Sequence, residues 1–174
     1  MIGRFFWGSL AVVLVGGTAC SDPYNGQSFT VVDEPRLDTF GVVVKNLDYS
    51  CGNLACHGAV GRNLILFGVE GRRLAATDVA CGRSTTPDEI LADYRSVVGL
   101  EPEIMSEVVA SGGKDPQRLT LIRKMNGTES HKGGTVFAIG SNGDLCVRGW
   151  LTGSDDPSAC NNAFNPGEPF VACP

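Results

Sequence analysis

The chain has 174 residues, 19 of them acidic and 14 basic, for a formal charge of −5, and it carries 23 glycines. That is one domain's worth of sequence, and its acidity excludes ready nucleic-acid binding, because phosphate contacts need Lys and Arg. Seven cysteines in so short a chain point away from the cytosol and toward an oxidising compartment, where disulfides persist.

The chain opens MIGRFFWGSLAVVLVGGTAC. Arg4 is a positive n-region, Phe5–Val15 is apolar and Gly16–Ala19 are small, the pattern of a secretory signal peptide. The apolar run is too short to span a bilayer, which takes about 20 residues. Its end, Gly17-Thr18-Ala19-Cys20, resembles a bacterial lipobox, with Gly17 where a branched residue is usual. That resemblance implies removal of residues 1–19, lipidation of Cys20 as the new first residue and, with Ser21 next in place of Asp, sorting to the outer membrane. Such a lipoprotein faces the periplasm or the cell surface. Several acyl chains hold it stably, each buried methylene contributing about 0.8 kcal/mol. The competing reading is an ordinary signal peptide with a cysteine at its boundary.

Residues 20–36 are polar and turn-rich and read as a tether, with a domain over 37–153 behind it. Apolar residues at 37, 40, 44 and 47 predict a helix over Leu37–Leu47 that runs into a cysteine motif. Gly58–Gly82 is irregular, and its apolar run Leu64-Ile65-Leu66-Phe67 is too brief to type. Thr86-Pro87-Asp88-Glu89 predicts a helix start. Thr86 caps, Pro87 takes the first helical position and Glu89 completes a capping box. Ile90, Leu91, Tyr94, Val97 and Val98 carry that helix to Gly99. Another is predicted over Glu101–Ala110. A third starts at Asp115-Pro116, with Leu119, Leu121, Ile122 and Met125 inward and Asn126-Gly127 as its stop. His131-Lys132-Gly133-Gly134 falls in a loop, Val136–Ile139 is open to an extended form, and a last helix is predicted over Leu145–Leu151. Residues 154–174 form a Cys-containing tail rich in Gly, Asp, Asn and Pro. The expected class is mainly α, small, loop-rich and stapled by disulfides.

The chemistry concentrates in "YSCGNLACHGAVG", residues 49–61. A Cys-x-x-Cys-His run is the attachment motif for c-type haem. Here Cys51 and Cys56-His57 are separated by four residues, not two. In the haem reading the two cysteines form thioethers and His57, directly after the second, ligates iron, while Gly52 and Asn53 let the longer loop bend. His131, in its glycine-rich loop, is the foremost second iron ligand. Met125 and Met105 are alternatives on apolar helix faces, where methionine more often fills the core. Two readings compete. Cys51 and Cys56 are in disulfides and His57 is incidental, or Cys51, Cys56, His57 and His131 bind zinc. The adjacency of Cys56 and His57 is awkward for zinc. With Cys20 set aside, Cys81–Cys146 is the favoured disulfide and Cys160–Cys173 closes the tail, although four cysteines allow three pairings. Asp88-Glu89 and Glu101-Glu103 read as helix-start carboxylates. No Ser-His-Asp set, P-loop or dinucleotide fingerprint is visible, so no enzyme is expected.

Cys56-His57-Gly58, Arg118-Leu119 to Lys124, His131-Lys132-Gly133-Gly134 and Trp150-Leu151-Thr152-Gly153 together resemble cytochrome-c-like lipoproteins of planctomycete and myxobacterial type. The likeness covers roughly residues 37 to 153, and the widened cysteine spacing is its chief departure. It implies a fold whose first and last helices cross beside a haem c, and single-electron transfer in the cell envelope. The partners it implies are the membrane, through the lipid anchor, and redox or other envelope proteins. The alternative function is a non-haem, disulfide-stapled surface lipoprotein with a structural or interaction role.

Overall fold

Six α-helices form among residues 33–154 and 157–163, the part of the chain that the computed structural model describes. They are α1 (Phe40–Cys51), α2 (Pro87–Val98), α3 (Pro102–Ala110), α4 (Thr120–Met125), α5 (Asn142–Thr152) and α6 (Pro157–Ala163). A single 3-10 turn, Pro116–Arg118, precedes α4. Among the described residues there is no strand, only isolated bridges pairing Asn53 with Gly71 and Phe67 with Arg72. The mainly helical, loop-rich class is therefore observed. The expected signal peptide, the expected lipidation at Cys20, and Cys173 lie outside the described residues.

Local chemistry sets the helix boundaries. The Thr86 hydroxyl accepts from Glu89 N at 3.2 Å and the Glu89 carboxylate accepts from Thr86 N at 2.8 Å, so the capping box forms at both ends. α1 begins three residues later than the pattern suggested and runs on to Cys51. Leu37 lies outside it and is 44% exposed, and the buried stripe is Phe40, Val43, Val44 and Leu47. The helix expected from Asp115 is broken. Asp115 takes a left-handed φ of 52°, Leu119 is extended, and α4 starts afresh at Thr120. The cause is Glu101, whose carboxylate accepts from Thr120 N at 2.5 Å and Thr120 Oγ1 at 2.9 Å and so supplies the acceptor a helix start needs. α5 starts at Asn142, ahead of the expected Leu145, because the Ser141 hydroxyl accepts from Asp144 N at 3.4 Å. Val136–Ile139 is no strand. Val136 N and Phe137 N both donate to Met125 O at 2.9 Å, turning the chain back on the end of α4.

The core lies where α1 meets α2, α5 and α6. Phe40, Tyr94 and Trp150, one from each of α1, α2 and α5, meet with ring centroids 4.9 to 6.2 Å apart. Such pairs add about 0.5–1.5 kcal/mol each beyond their burial. Tyr94 OH donates to Pro35 O at 2.7 Å and Trp150 Nε1 to Arg36 O at 2.8 Å, which docks the last residues of the stretch read as a tether.

The cysteine pairing differs from expectation. Cys146 on α5 bonds Cys160 on α6 with a Cα–Cα distance of 4.6 Å, so Cys81–Cys146 and Cys160–Cys173 are both excluded. The reason is α6 itself. The first part of the tail is helical and folds back on α5, with Asn46 of α1 donating to Cys160 O at 2.9 Å. Cys81 is also disulfide-bonded.

Candidate functional site

Cys51 is the last residue of α1, and the helix ends there because Gly52 N closes on Asp48 O at 2.8 Å. Asn53 then turns the chain. Its side-chain oxygen accepts from Ala55 N at 3.0 Å, and its carbonyl accepts from Cys56 N at 2.9 Å and Gly58 N at 3.0 Å. His57 N thereby returns to Cys51 O at 2.9 Å. Gly52 does not use the left-handed freedom credited to it, since its φ is −78°. The requirement for small residues is steric instead. A Cβ on Gly58 or Gly71 would stand 2.2 or 1.9 Å from Gly52 O.

His57 Nδ1 lies 3.0 Å from Leu64 O, and a carbonyl only accepts, so Nδ1 carries the proton and the neutral ring's Nε2 keeps its lone pair. Metal-ligating histidines are oriented by the same device.

His131 sits in a loop pinched at its base. Asn126 Nδ2 donates to Phe137 O at 2.8 Å, and Gly127, at φ +71°, lies against Thr135, where a Cβ would be 2.1 Å from Oγ1. His131 Nδ1 is buried without a hydrogen-bond partner. Burial first, then the charges of His57 and Lys124, hold the ring toward its neutral form, the form that binds metals. Gly133 leaves the ring its room. A Cβ there would come within 2.7 Å of Nε2.

The two segments meet across adjoining cavities of about 350 and 340 Å³, both lined by Cys51, His57 and His131. Each is in the range of ligand pockets, about 300–1,000 Å³. The first adds apolar Leu47, Leu66, Leu121 and Met125, and the second adds Cys56. Met105 is buried but lines neither cavity, so of the two methionines only Met125 is placed at the site. Arg62 and Lys124 line both cavities and Lys132 the second, while neither lining contains an acidic side chain. Lys124 also pairs with Glu129 at 2.7 Å. On a chain of charge −5 this is a local inversion of sign.

Cys51 and Cys56 are both free thiols. Burial first, then Cys56, pushes the Cys51 thiol up to about 12, so it stays protonated. A thiolate metal site needs the reverse. Among the described residues no three His, Cys, Asp or Glu side chains group as a metal-ion site would require.

Behind His57 runs a strap, residues 64–69, whose peptide groups bond alternately to the two sides. Leu64 O and Leu66 N bond the His57 ring and carbonyl, both at 3.0 Å. Ile65 N donates to Ser96 Oγ at 2.9 Å and Phe67 N to Asp93 Oδ1 at 2.7 Å, both on α2. Val69 N donates to Asp48 Oδ2 at 3.2 Å. Sequence reasoning singled out neither the strap with Asp48 and Asp93 nor Arg62, and it named Lys124 only as the end of a motif, not as a site residue. The only early signal was the brief apolar run at 64–67.

No family model matches the chain, and neither a curated protein nor a solved structure matches it.

Proposed function

We propose that the protein is an envelope-anchored, c-type-cytochrome-like carrier of single electrons, with a haem held by Cys51, Cys56 and His57 and a second iron ligand from His131. The observation that carries this reading is the convergence of two free thiols and two histidines, His57 and His131, on cavities that are apolar on one side and cationic on the other. The donor set suits the group. His57 Nε2 is the ring nitrogen not engaged by Leu64 O, the His131 ring with its unpartnered Nδ1 lines the same cavities, and a thiol held protonated, as Cys51 is, would be the form that adds across a vinyl double bond. In that addition a carbon–sulfur bond forms and the thiol hydrogen passes to the neighbouring carbon, with no net oxidation. Arg62 and Lys132 suit the carboxylates of such a ligand, and Leu47, Leu66 and Leu121 its apolar face. Bound haem supplies an iron that gains and loses one electron at a potential set by its axial ligands and surroundings. If His57 and His131 were both to hold the iron, no open position would remain for a substrate, which is why the reading is transfer and not catalysis. The lipid anchor at Cys20 and the outer membrane belong to the same proposal.

The alternative, a non-haem lipoprotein held by disulfides, gains from Cys146–Cys160 and leaves Cys51 and Cys56 to pair with each other. The full chain, expressed with its leader alongside a c-type maturation system, separates the two. The expected result is a c-type pyridine haemochrome spectrum with the haem mass retained after denaturation, both lost in His57→Ala. An unpigmented protein with Cys51 and Cys56 oxidised to a disulfide overturns the electron-transfer reading.

A further inference from the structure

We propose that Asp93 positions His57 through the strap and holds a proton whose binding is linked to the electron at the site. The inference rests on the haem reading. Asp93 is 0% exposed; its Oδ1 accepts from Phe67 N and its Oδ2 has no partner. The charged groups that act on it are Asp48 from α1 and Glu89 from its own helix, with Arg73 beyond Glu89 and Asp48, and Glu70 beyond Asp48. Arg73 is committed elsewhere. It donates to both Glu89 oxygens and to the Arg83 and Ser84 carbonyls. Three buried acids thus share one engaged cation, and an isolated buried carboxylate takes up a proton instead of remaining charged. Asp48, whose Oδ1 also lacks a partner, is raised by burial too, but it accepts from Val69 N and Thr85 Oγ1, whereas the fully buried Asp93 accepts from Phe67 N alone, and we assign the proton to Asp93. Burial, against the Phe67 amide, and then the charges of Asp48 and Glu89 push it up to about 8.

The strap joins this proton to His57. Adjacent residues of the strap bond Asp93 on one side, through Phe67 N, and His57 O on the other, through Leu66 N. The strap is also locked in register, since a Cβ on Gly68 would fall 1.8 Å from Asp48 Oδ2. When the site loses its electron, one positive charge is added beside His57 and the ionised form of Asp93 gains. One proton leaves Asp93 for solvent. When the electron returns, one proton returns with it. By reciprocity, raising the pH must favour the oxidised site.

The test is the midpoint potential of the haem-loaded full chain, measured from about pH 5 to about pH 9, a window that brackets the raised carboxyl. The expected result is a fall approaching tenfold in the reduction equilibrium per pH unit, about 59 mV for one electron, over part of that window. Asp93→Asn, whose amide oxygen still accepts from Phe67 N, should take up haem and lose the slope. If that variant does not fold, Asp48→Asn removes a neighbouring charge and should move the slope to lower pH. An infrared carbonyl band of a protonated carboxyl, present at neutral pH with or without haem and missing in Asp93→Asn, tests the proton by itself. A flat potential in the native protein, a slope unmoved by both variants, or absence of that band overturns the proposal. A chain that takes up no haem overturns the electron linkage together with the reading beneath it. The missing haemochrome spectrum identifies that case, and a flat potential in a pigmented protein identifies the other.

Discussion

Replacing Glu89 by Gln should cost the fold about 3 kcal/mol or more at neutral pH. The side chain is 1% exposed and accepts four hydrogen bonds, from Arg73 Nε at 2.9 Å, an Arg73 terminal nitrogen at 2.8 Å, Leu74 N at 3.0 Å and Thr86 N at 2.8 Å. Burial alone would raise its carboxyl. The Arg73 hydrogen bonds and the Thr86 and Leu74 amides outweigh it and hold the group at about 2, down from 4.5. At about 1.4 kcal/mol per tenfold change in proton affinity, that displacement corresponds to about 3 kcal/mol. Because the folded-state value is depressed, the contribution is complete above pH 4.5 and is lost as pH falls toward 2. Removing the charge also strands Arg73, and breaking a buried pair from one side costs about 3–5 kcal/mol. Urea unfolding with the disulfides intact, run from neutral pH down to about pH 2, measures both effects. The variant should be less stable at pH 7, and the gap should close on the acid side. Arg73→Met combined with Glu89→Gln should recover part of the loss, since replacing both members of a buried pair is far milder than stranding one. A single variant within about 1 kcal/mol of the native protein at pH 7, or a gap that does not close in acid, refutes the reasoning.

Gly133→Ala should leave the urea midpoint nearly unchanged, as for most surface-loop changes, at within about 0.5 kcal/mol. It should displace the His131 ring, 2.7 Å from the new Cβ, and visible and electron-spin spectra of the haem-loaded protein should lose the two-histidine signature. Cys160→Ser opens a loop of sequence separation 14. The expected cost is about 3 kcal/mol by denaturant unfolding, and non-reducing peptide mapping of the native protein should link residues 146 and 160. Asn53→Ala removes the side-chain acceptor of Ala55 N and with it the support of the turn between the two thiols. About 1 kcal/mol should be lost, and mass spectrometry should find a larger fraction of chains with incomplete attachment.

Features with local causes were legible in the sequence. The capping box at Thr86–Glu89 involves residues three apart and reads directly from the chain, as do the inward Leu119, Leu121, Ile122 and Met125. What depended on distant partners was not. Glu89 looked like a helix-start acid. Its larger role comes from Arg73, 16 residues earlier in a stretch with no periodicity. The break before α4 depends on Glu101, 19 residues from Thr120. The disulfide was misassigned because nothing in a Gly- and Asn-rich tail announces a seven-residue helix, and without α6 Cys160 has no reason to stand beside Cys146. At the candidate site, Cys51, Cys56 and His57 are neighbours in sequence, so pattern alone groups them, and His131 was singled out from its glycine-rich loop; the fold sets all four around the same cavities. Arg62 and Lys124 are ordinary surface cations until folding places them around the same cavities.

The widened spacing between Cys51 and Cys56 is absorbed by the fold. In a motif with two intervening residues the thiols are held by a short loop. Here the added length goes into the Asn53 turn, which brings His57 N back to 2.9 Å from Cys51 O. The first cysteine is fixed because it ends α1, and the histidine is fixed because both its ring and its backbone carbonyl bond the strap. What a haem motif requires is two thiols and a histidine in a set relation to one cavity, and sequence distance is only one way to enforce it. In this chain Asn53 and the contact of Gly58 and Gly71 with Gly52 O hold the turn that brings Cys51, Cys56 and His57 to one cavity. The spacing therefore weighs less against attachment than it does when read from the sequence alone. The acids behind the strap weigh on the other side of the same histidine, so the element that fixes His57 at the end of the long loop is also the one that would expose it to the protonation state of Asp93.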